Sequence, residues 1–181
     1  AEKSMAISVT LNAKMRRTSI CGATETILCH KKVSESILPD LIDVLIKNGC
    51  TVKAESKIKK YNKNIIPVKK EDWSTEYLDS IVSIKIVNSL EEAIDHINNY
   101  SSGHTDAIIT KSKISSKVFL KSINSAIVMH NTSTQFADGA EFGLGAEIGI
   151  STGKLHARGP VSISELTTYK YIVQGKGQLR N

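Results

Sequence analysis

Apolar residues recur at helical spacing in three parts of the chain. The clearest pattern covers residues 32–49, where Gly49 follows the last apolar position, as a glycine commonly does at a helix C-terminus. A second pattern covers residues 89–100 and opens with Ser89 and Glu92, which have the spacing of a capping box. A third covers residues 113–123. The spacing predicts a helix in each of these segments.

Runs of β-branched and other apolar residues separate the predicted helices. Such runs are typical of strands, and they occupy residues 23–30, 51–55, 80–87, 105–110 and 125–131. Strands and helices therefore alternate with short connections. This order predicts an α/β fold with a largely parallel sheet flanked by helices. A further run, TYKYIV at residues 168–173, predicts an exposed strand near the C-terminus.

The stretch from residue 132 to 160 differs in character, because it holds six glycines in twenty-nine residues. It is not expected to be regular structure throughout, and loops of this length are usually functional or cross between domains. GLGAEIG (143–149) lacks the glycine spacing and the strand-to-helix context of a dinucleotide-binding turn. GISTGK (149–154) is one residue too short between its glycines for a P-loop, and Leu155 follows its lysine. Neither motif predicts a nucleotide site.

Charge and hydropathy narrow the classes of partner. The net charge is +6, and much of the excess lies in the lysine-rich stretch 53–72. We interpret this stretch as a solvated loop, because few aromatic residues accompany the lysines and no base-stacking platform results. A nucleic-acid partner is therefore not expected. No apolar run approaches the about 18 residues of a membrane helix, and the N-terminus lacks the apolar segment of a secretory signal, so a membrane partner is not expected either.

The cysteines and histidines offer candidate chemistry but no metal site. The three cysteines form no disulfide or zinc-binding spacing, which fits a reducing cytoplasm. Cys29 and Cys50 have the surroundings of buried core residues. Cys21 lies in a predicted loop before a strand and precedes Gly22, so it is the candidate nucleophile, with Arg16 and Arg17 as nearby positive charges. The alternative is a structural thiol. Among the five scattered histidines, only His104 and His156 fall in predicted loops.

Several stretches together resemble one enzyme family. NAKMRRTSICGATETILCH is similar to the catalytic-cysteine segment of the γ-glutamyl phosphate reductases, which belong to the aldehyde dehydrogenase superfamily. Three further stretches follow in the same order as in that family. They are DWSTEYLDSIVSIKIVNSLEEAIDHIN, SSGHTDAIIT, and NTSTQFADGAEFGLGAEIGISTGKLHARGP with ELTTYKYIV. The resemblance covers about residues 6–177 and implies an aldehyde dehydrogenase-type catalytic domain.

The resemblance also implies a reaction and its residues. Cys21 aligns with the family nucleophile, which would attack L-glutamyl 5-phosphate, expel phosphate and form a thioester. NADPH would reduce the thioester to glutamate 5-semialdehyde, the second step of proline biosynthesis from glutamate. Glu76 is similar in position to the superfamily glutamate that contacts the nicotinamide ribose. Substrate contacts are expected from a wider set, namely Arg17, His104, Thr105, Ser133, Thr134 and Phe136.

The expected organisation follows from the same family. Residues 1–136 would form the catalytic cysteine domain, and residues 137–181 a glycine-rich return segment and a C-terminal oligomerisation strand. The family's NADP-binding domain precedes the cysteine and is expected to be absent from this chain, which starts with Ala. The resemblance implies a homo-oligomer and an association with glutamate 5-kinase. An alternative is a truncated, non-catalytic remnant that serves as an oligomerisation or binding module.

Overall fold

The computed structural model describes residues 1–181, and its elements alternate as the sequence pattern predicts. The helices are α1 (Lys3–Met15), α2 (Lys31–Lys47), α3 (Leu90–Tyr100) and α4 (Lys113–Ser122). The strands are β1 (Thr26–His30), β2 (Thr51–Ala54), β3 (Ile66–Pro67), β4 (Ile81–Val87), β5 (Thr105–Ile108), β6 (Ile127–His130), β7 (Gly149–Ser151) and β8 (Gly159–Val161). Short 3₁₀ turns occur at Ser56–Tyr61, Glu71–Ser74 and Thr134–Phe136.

The strands form three sheets, of which the two larger are entirely parallel. The first has the order β1-β4-β2-β3, with Thr26 opposite Ser83 and His30 opposite Val87. The second pairs β5 with β6, and the third is a small antiparallel pair of β7 and β8. The prediction of a largely parallel sheet flanked by helices is confirmed. Cys21 lies in the loop before β1, and His104 directly precedes β5. Both residues therefore lie at the N-terminal ends of parallel strands.

Three hydrophobic clusters support these sheets. The main core lies between α1, α2 and the four-stranded sheet, and its fully buried side chains include Leu38, Ile42, Leu45, Val52 and Ile84. Each such side chain contributes about 1.5–3 kcal/mol by leaving water. A smaller core joins α3 and α4 through Ile94, Phe119 and Ile123. A third cluster of Ile127, Met129 and Ala137 packs β6 against the residue that follows the 3₁₀ turn Thr134–Phe136.

The lysine-rich stretch, residues 53–72, is not only a solvated loop, because parts of it pack against the main core. Its lysines are mostly exposed, but Ile58 and Ile65 are buried in the main core, and its residues form the 3₁₀ turn Ser56–Tyr61 and the edge strand β3. Two apolar anchors therefore hold this stretch against the sheet, while its charged side chains remain in solvent.

Two terminal segments differ from the pattern. Helix α1 carries no strong apolar stripe, and the residues that it buries include Ala6, Thr10, Ala13 and Lys14. At the other end, residues 167–175 form neither helix nor strand in the single chain, so the exposed strand predicted at 168–173 is not formed within it. Tyr171 and Val173 there are more than four-fifths exposed. None of the helices is both long enough and apolar enough to cross a membrane.

Candidate active site

Cys21 lies in the loop between α1 and β1, and its side chain is exposed. Gly22 follows it and packs against the 3₁₀ turn Thr134–Phe136. A Cβ added at Gly22 would lie 3.1 Å from the carbonyl oxygen of Thr134. Thr24 Oγ1 and Thr134 Oγ1 are hydrogen-bonded at 3.1 Å. The absence of a side chain at Gly22 thus allows two distant parts of the chain to meet directly beside Cys21.

Cys21 forms part of the wall of a cleft of about 590 Å³, here called the main cleft. The cleft extends along β1 and β5 and is lined by residues from the loops that precede both strands. Four of the predicted site residues line it together with Cys21, although the sequence separates them widely. They are Glu76, His104, Thr105 and Thr134.

A second cavity of about 210 Å³, here called the charged pocket, also has Cys21 in its wall. The charged residues of this pocket include both bases and acids. They are Arg16, Arg17, Asp138, Glu141 and Glu147. Cys21 therefore stands where the two cavities meet, with an aromatic- and hydroxyl-bearing cleft on one side and a pocket rich in ionic groups on the other.

Gln135 holds the backbone that leads to Cys21. Its side chain is buried, and Nε2 donates hydrogen bonds to the carbonyl oxygens of Ala13 at 3.0 Å and Arg17 at 3.1 Å. Arg16 Nη1 donates to Gln135 Oε1 at 3.4 Å. The two carbonyl oxygens that accept these bonds belong to the end of α1 and to the loop after it, where backbone acceptors lack helical partners. The sequence gives no local signal for this role, because the partners lie over a hundred positions apart.

A polar network fixes the segment that carries Glu76. Asp72 is buried and accepts hydrogen bonds from Lys53 Nζ at 2.7 Å, from the Lys69 backbone N–H at 2.6 Å and from Tyr77 Oη at 2.8 Å. Burial raises the pKa of Asp72, but these hydrogen bonds outweigh it and leave that pKa below its ordinary value. Burial also raises the pKa of Tyr77 to about 12. Glu76 is therefore attached to a rigid neighbour and is itself exposed.

A second link joins the Cys21 loop to the Glu76 loop. Lys14 is fully buried, and its ammonium lies 2.8 Å from Glu25 Oε2. The other oxygen of Glu25 accepts the backbone N–H of Leu78 at 3.2 Å. Leu78 has a φ of +51°, which side-chain-bearing residues rarely adopt. The Glu25 carboxylate thus connects α1, the start of β1 and the loop two residues beyond Glu76.

The charges around Cys21 disfavour its thiolate. Burial raises the pKa of the thiol, and the Glu147 and Glu76 carboxylates raise it further, while the backbone N–H groups of Cys21 and Gly22 lower it. The net pKa lies above the ordinary cysteine value of 9.0. This is opposite to the activation that Arg16 and Arg17 were expected to provide. Both arginines are exposed to solvent, which weakens their field at the sulfur.

His104 is a neutral hydrogen-bonding group in the main cleft. Its Nδ1 lies 2.8 Å from Thr105 Oγ1, and its Nε2 is buried without a partner. Burial lowers the pKa of His104, although the Glu76, Glu147 and Asp106 carboxylates act in the opposite direction. A neutral imidazole with one free ring nitrogen can accept or donate a hydrogen bond to a bound molecule.

The remaining predicted substrate residues, Ser133 and Phe136, lie beside these two cavities without lining them. Ser133 is buried and caps the 3₁₀ turn, since its Oγ accepts the Gln135 N–H at 3.3 Å. Phe136 is half-exposed. Cys29 and Cys50 are buried in the main core, as predicted, and Cys29 also forms part of the wall of the main cleft. No group of three His, Cys, Asp or Glu side chains is arranged to hold a metal ion.

Known proteins supply an independent comparison. No protein-family model matches the chain. The curated γ-glutamyl phosphate reductase of Rhodospirillum rubrum is 54% identical over 99% of this chain, which spans 42% of that relative. The crystal structure of γ-glutamyl phosphate reductase from Thermotoga maritima has a TM-score of 0.94 and 44% identity, covering all of this chain and 44% of that one. The chain is homologous to one part of γ-glutamyl phosphate reductase.

Solved structures of much lower sequence identity share the fold of this chain. An acetylating aldehyde dehydrogenase from Geobacillus thermoglucosidasius has a TM-score of 0.73 at 16% identity, and covers all of this chain. An engineered glycolyl-CoA reductase, solved with bound NADP⁺, has a TM-score of 0.63 at 16% identity. These likenesses concern the fold alone. The resemblance to γ-glutamyl phosphate reductase and the aldehyde dehydrogenase-type fold are both confirmed, and the chain spans less than half the length of the reductases that it matches.

Proposed function

We propose that this chain carries the nucleophile and the substrate side of an NADPH-dependent reductase that converts L-glutamyl 5-phosphate to L-glutamate 5-semialdehyde and phosphate. The observation that carries the proposal is the position of Cys21. It is the one exposed cysteine, and it stands where the main cleft and the charged pocket meet. The identity to γ-glutamyl phosphate reductases over nearly the whole chain supports this reaction.

Covalent chemistry at Cys21 explains the reaction with an acyl phosphate. The thiolate attacks the acyl carbon, the bond from that carbon to the phosphate oxygen breaks, and a thioester forms as phosphate leaves. The backbone N–H groups of Cys21 and Gly22 lower the pKa of the thiol, so they favour negative charge at this point of the loop. We assign to them the stabilisation of the oxyanion as it forms. After reduction, the Cys21 sulfur leaves and the aldehyde is released.

The residues of the main cleft fit one end of a nicotinamide cofactor. Glu76 is exposed, lines the same cleft as Cys21 and supplies carboxylate acceptors suited to ribose hydroxyls. When bound, NADP(H) supplies the hydride for reduction of the thioester. The role of the Lys53, Asp72 and Tyr77 network is then to hold Glu76 at a constant distance from Cys21.

The substrate contacts divide between the two cavities. Arg17, in the charged pocket, suits the α-carboxylate of the amino-acid substrate, because a guanidinium binds a carboxylate with two parallel hydrogen bonds. His104 and Thr105, in the main cleft, suit the phosphoryl group as neutral donors. Thr134 lines the cleft beside them. Ser133 acts by shaping the turn of Thr134, and the half-exposed Phe136 covers the outer side of the same turn.

The setting of the reaction follows from the same assignment. The reaction is the second step of proline biosynthesis from glutamate, and the three unpaired thiols suit a reducing cytoplasm. We place homo-oligomer contacts at the exposed apolar side chains of residues 169–173, where Tyr169 and Tyr171 contact each other but remain open to solvent. Because acyl phosphates are labile, we also propose an association with the glutamate 5-kinase that makes the substrate.

The test uses this segment within a complete enzyme. A hybrid is built in which residues 1–181 replace the homologous part of the Rhodospirillum rubrum reductase. Phosphate-dependent oxidation of glutamate 5-semialdehyde by NADP⁺ is then measured. Cys21→Ser is expected to abolish turnover, while the matched substitution Cys29→Ser, in the core, leaves turnover largely intact. Retained turnover in Cys21→Ser would contradict the proposal.

The second candidate function is a non-catalytic oligomerisation module, and the exposed residues 169–173 favour it. It requires no chemistry at Cys21. If the unsubstituted hybrid assembles normally but shows no turnover, this second function is favoured. Turnover that depends on Cys21 excludes it as the sole role.

A further inference from the structure

We propose that Glu147 binds the α-ammonium group of the amino-acid substrate in the charged pocket and thereby prevents the bound acyl group from cyclising. This inference rests on the function proposed above and deepens it. It concerns a residue for which the sequence patterns predicted no role.

The first support is that Glu147 is held firmly in place before any ligand binds. Its Oε2 accepts the backbone N–H of Gly139 at 2.6 Å. A Cβ added at Gly139 would lie 2.9 Å from the Cβ of Glu147 and 3.3 Å from the carbonyl oxygen of Ala146. The two backbone segments therefore touch, and only glycine permits this approach. The other oxygen, Glu147 Oε1, is left to receive a ligand.

The second support is the composition of the charged pocket. A γ-glutamyl group carries both an α-ammonium and an α-carboxylate, and only three carbon atoms separate its acyl carbon from its nitrogen. A pocket that receives this group beside Cys21 needs both signs of charge within a short distance. The charged pocket has Arg16 and Arg17 for the carboxylate and Glu147 for the ammonium.

The third support is an electrostatic cost that a bound cation removes. After burial, Glu147 is the largest influence that raises the pKa of the Cys21 thiol, and Glu76 acts in the same direction. A carboxylate near a nucleophilic cysteine disfavours the thiolate when no cation neutralises the carboxylate. An ammonium group bound to Glu147 offsets the negative charge, so the thiolate becomes easier to form when the substrate is in place.

Protection from cyclisation follows from the chemistry of the substrate. In a γ-glutamyl thioester, a free α-amine can attack the acyl carbon, the carbon–sulfur bond breaks, and the amine proton returns to the Cys21 sulfur. The products are the five-membered lactam of glutamate and free Cys21, and intramolecular reactions of this kind are fast. An ammonium paired with Glu147 keeps its proton and is held away from the acyl carbon. Glu147 therefore directs the thioester towards reduction.

The test compares two aldehydes in the hybrid enzyme. Glutamate 5-semialdehyde carries the α-amino group, whereas glutarate semialdehyde lacks it. Glu147→Gln retains an oxygen that can accept the Gly139 N–H, so the backbone contact is kept and only the charge is lost. We expect KM for glutamate 5-semialdehyde to rise about tenfold, as expected for one lost charge-assisted contact, with little change for glutarate semialdehyde. Glu141→Gln, an exposed acid of the same pocket without the Gly139 contact, is the matched comparison.

A second readout follows the fate of the acyl group in the reductive direction. With L-glutamyl 5-phosphate and limiting NADPH, Glu147→Gln is expected to raise the ratio of lactam to semialdehyde several-fold above that of the unsubstituted hybrid. Equal effects on both aldehydes, an unchanged product ratio, or the same loss in Glu141→Gln would overturn the inference. Failure of the proposed function looks different, because the unsubstituted hybrid would then turn over neither aldehyde.

Discussion

Cys21 differs from the two other cysteines in both exposure and acidity. Burial raises the pKa of Cys29 and of Cys50 to about 11, and both lie in the main core. The pKa of Cys21 is also raised, chiefly by burial and by Glu147, but its side chain is accessible from two cavities. Of the three thiols, only Cys21 combines access with backbone N–H groups that favour the thiolate.

This difference predicts the order in which the thiols react. Iodoacetamide is expected to label Cys21 at least about tenfold faster than Cys29 or Cys50 in the folded chain, because the thiolate is the reactive form and access is required. The labelling rate of Cys21 should continue to rise above pH 9.0, the ordinary pKa of a cysteine, because the pKa of Cys21 in the folded chain lies above that value. Peptide mapping by mass spectrometry measures both. Faster labelling of Cys29 would contradict the assignment.

At the scale of elements, the sequence predicted the segments that pack through an apolar face and missed those that are held by polar contacts. Helices α2, α3 and α4 and the strands β1, β2, β4, β5 and β6 fall where the patterns placed them, within a few residues. Ser89 caps α3 as the capping box indicates, because its Oγ accepts the Glu92 N–H at 3.2 Å. Helix α1 was missed, since small residues and an ion-paired lysine face the interior instead of large apolar ones.

The candidate site shows the same division. Local motifs and the family resemblance predicted Cys21, Glu76 and His104 as site residues, and all three line the main cleft. Gln135 and Glu147 were not predicted, because Gln135 acts through contacts more than a hundred positions away and Glu147 through a backbone contact inside the irregular glycine-rich loop. Composition and periodicity carry no information about such pairings. The charge environment of Cys21 was also predicted with the wrong sign, because carboxylates from outside its own loop dominate it.

The contacts of Gln135 predict that it controls the position of the Cys21 loop. Gln135→Leu keeps a similar volume but removes the N–H groups that reach the carbonyls of Ala13 and Arg17. The Ala13 carbonyl keeps the Thr24 N–H at 3.0 Å, whereas the Arg17 carbonyl loses its Gln135 partner. We expect a loss of about 1–3 kcal/mol in the free energy of unfolding and a fall in kcat of the hybrid that exceeds the change in KM. Urea denaturation and steady-state kinetics measure these. Gln174→Leu, in the exposed C-terminal segment, is the control and should change neither quantity.

The network around Asp72 predicts a dependence of stability on pH. Its folded-state pKa lies below the ordinary value of 3.8, so its contribution is present above about that pH and is lost as the pH falls through the folded-state pKa. Asp72→Asn is therefore expected to destabilise the chain by roughly 1–3 kcal/mol at neutral pH, and by less in acid.

Denaturation followed by Trp73 fluorescence at neutral pH and near pH 3 checks this difference. Glu35→Gln provides the control, because Glu35 pairs with Lys60 on the exposed surface and contributes little. The free energy of unfolding of Asp72→Asn is compared with that of the parent chain at both pH values. If the difference is as large in acid as at neutral pH, the charge of Asp72 is unimportant.

At the scale of the whole molecule, the chain combines a well-packed core with surfaces that have no partner within it. The main cleft and the apolar side chains of residues 169–173 are open to solvent, and the related reductases are more than twice as long as the part that matches. We interpret both surfaces as places where the rest of an enzyme is received, with cofactor at the first and a second subunit at the second. The proposed chemistry therefore needs to be measured in the hybrid enzyme.

The central claim is that Cys21 forms the covalent bond to the substrate. The most direct measurement is to incubate the hybrid with glutamate 5-semialdehyde and NADP⁺ in the absence of phosphate, so that the acyl group has no acceptor, and to locate the adduct by peptide mass spectrometry. The account predicts a thioester on the peptide that contains Cys21, and its loss when phosphate is added. An adduct on any other residue, or phosphate-dependent turnover with Cys21 unmodified throughout, would contradict it.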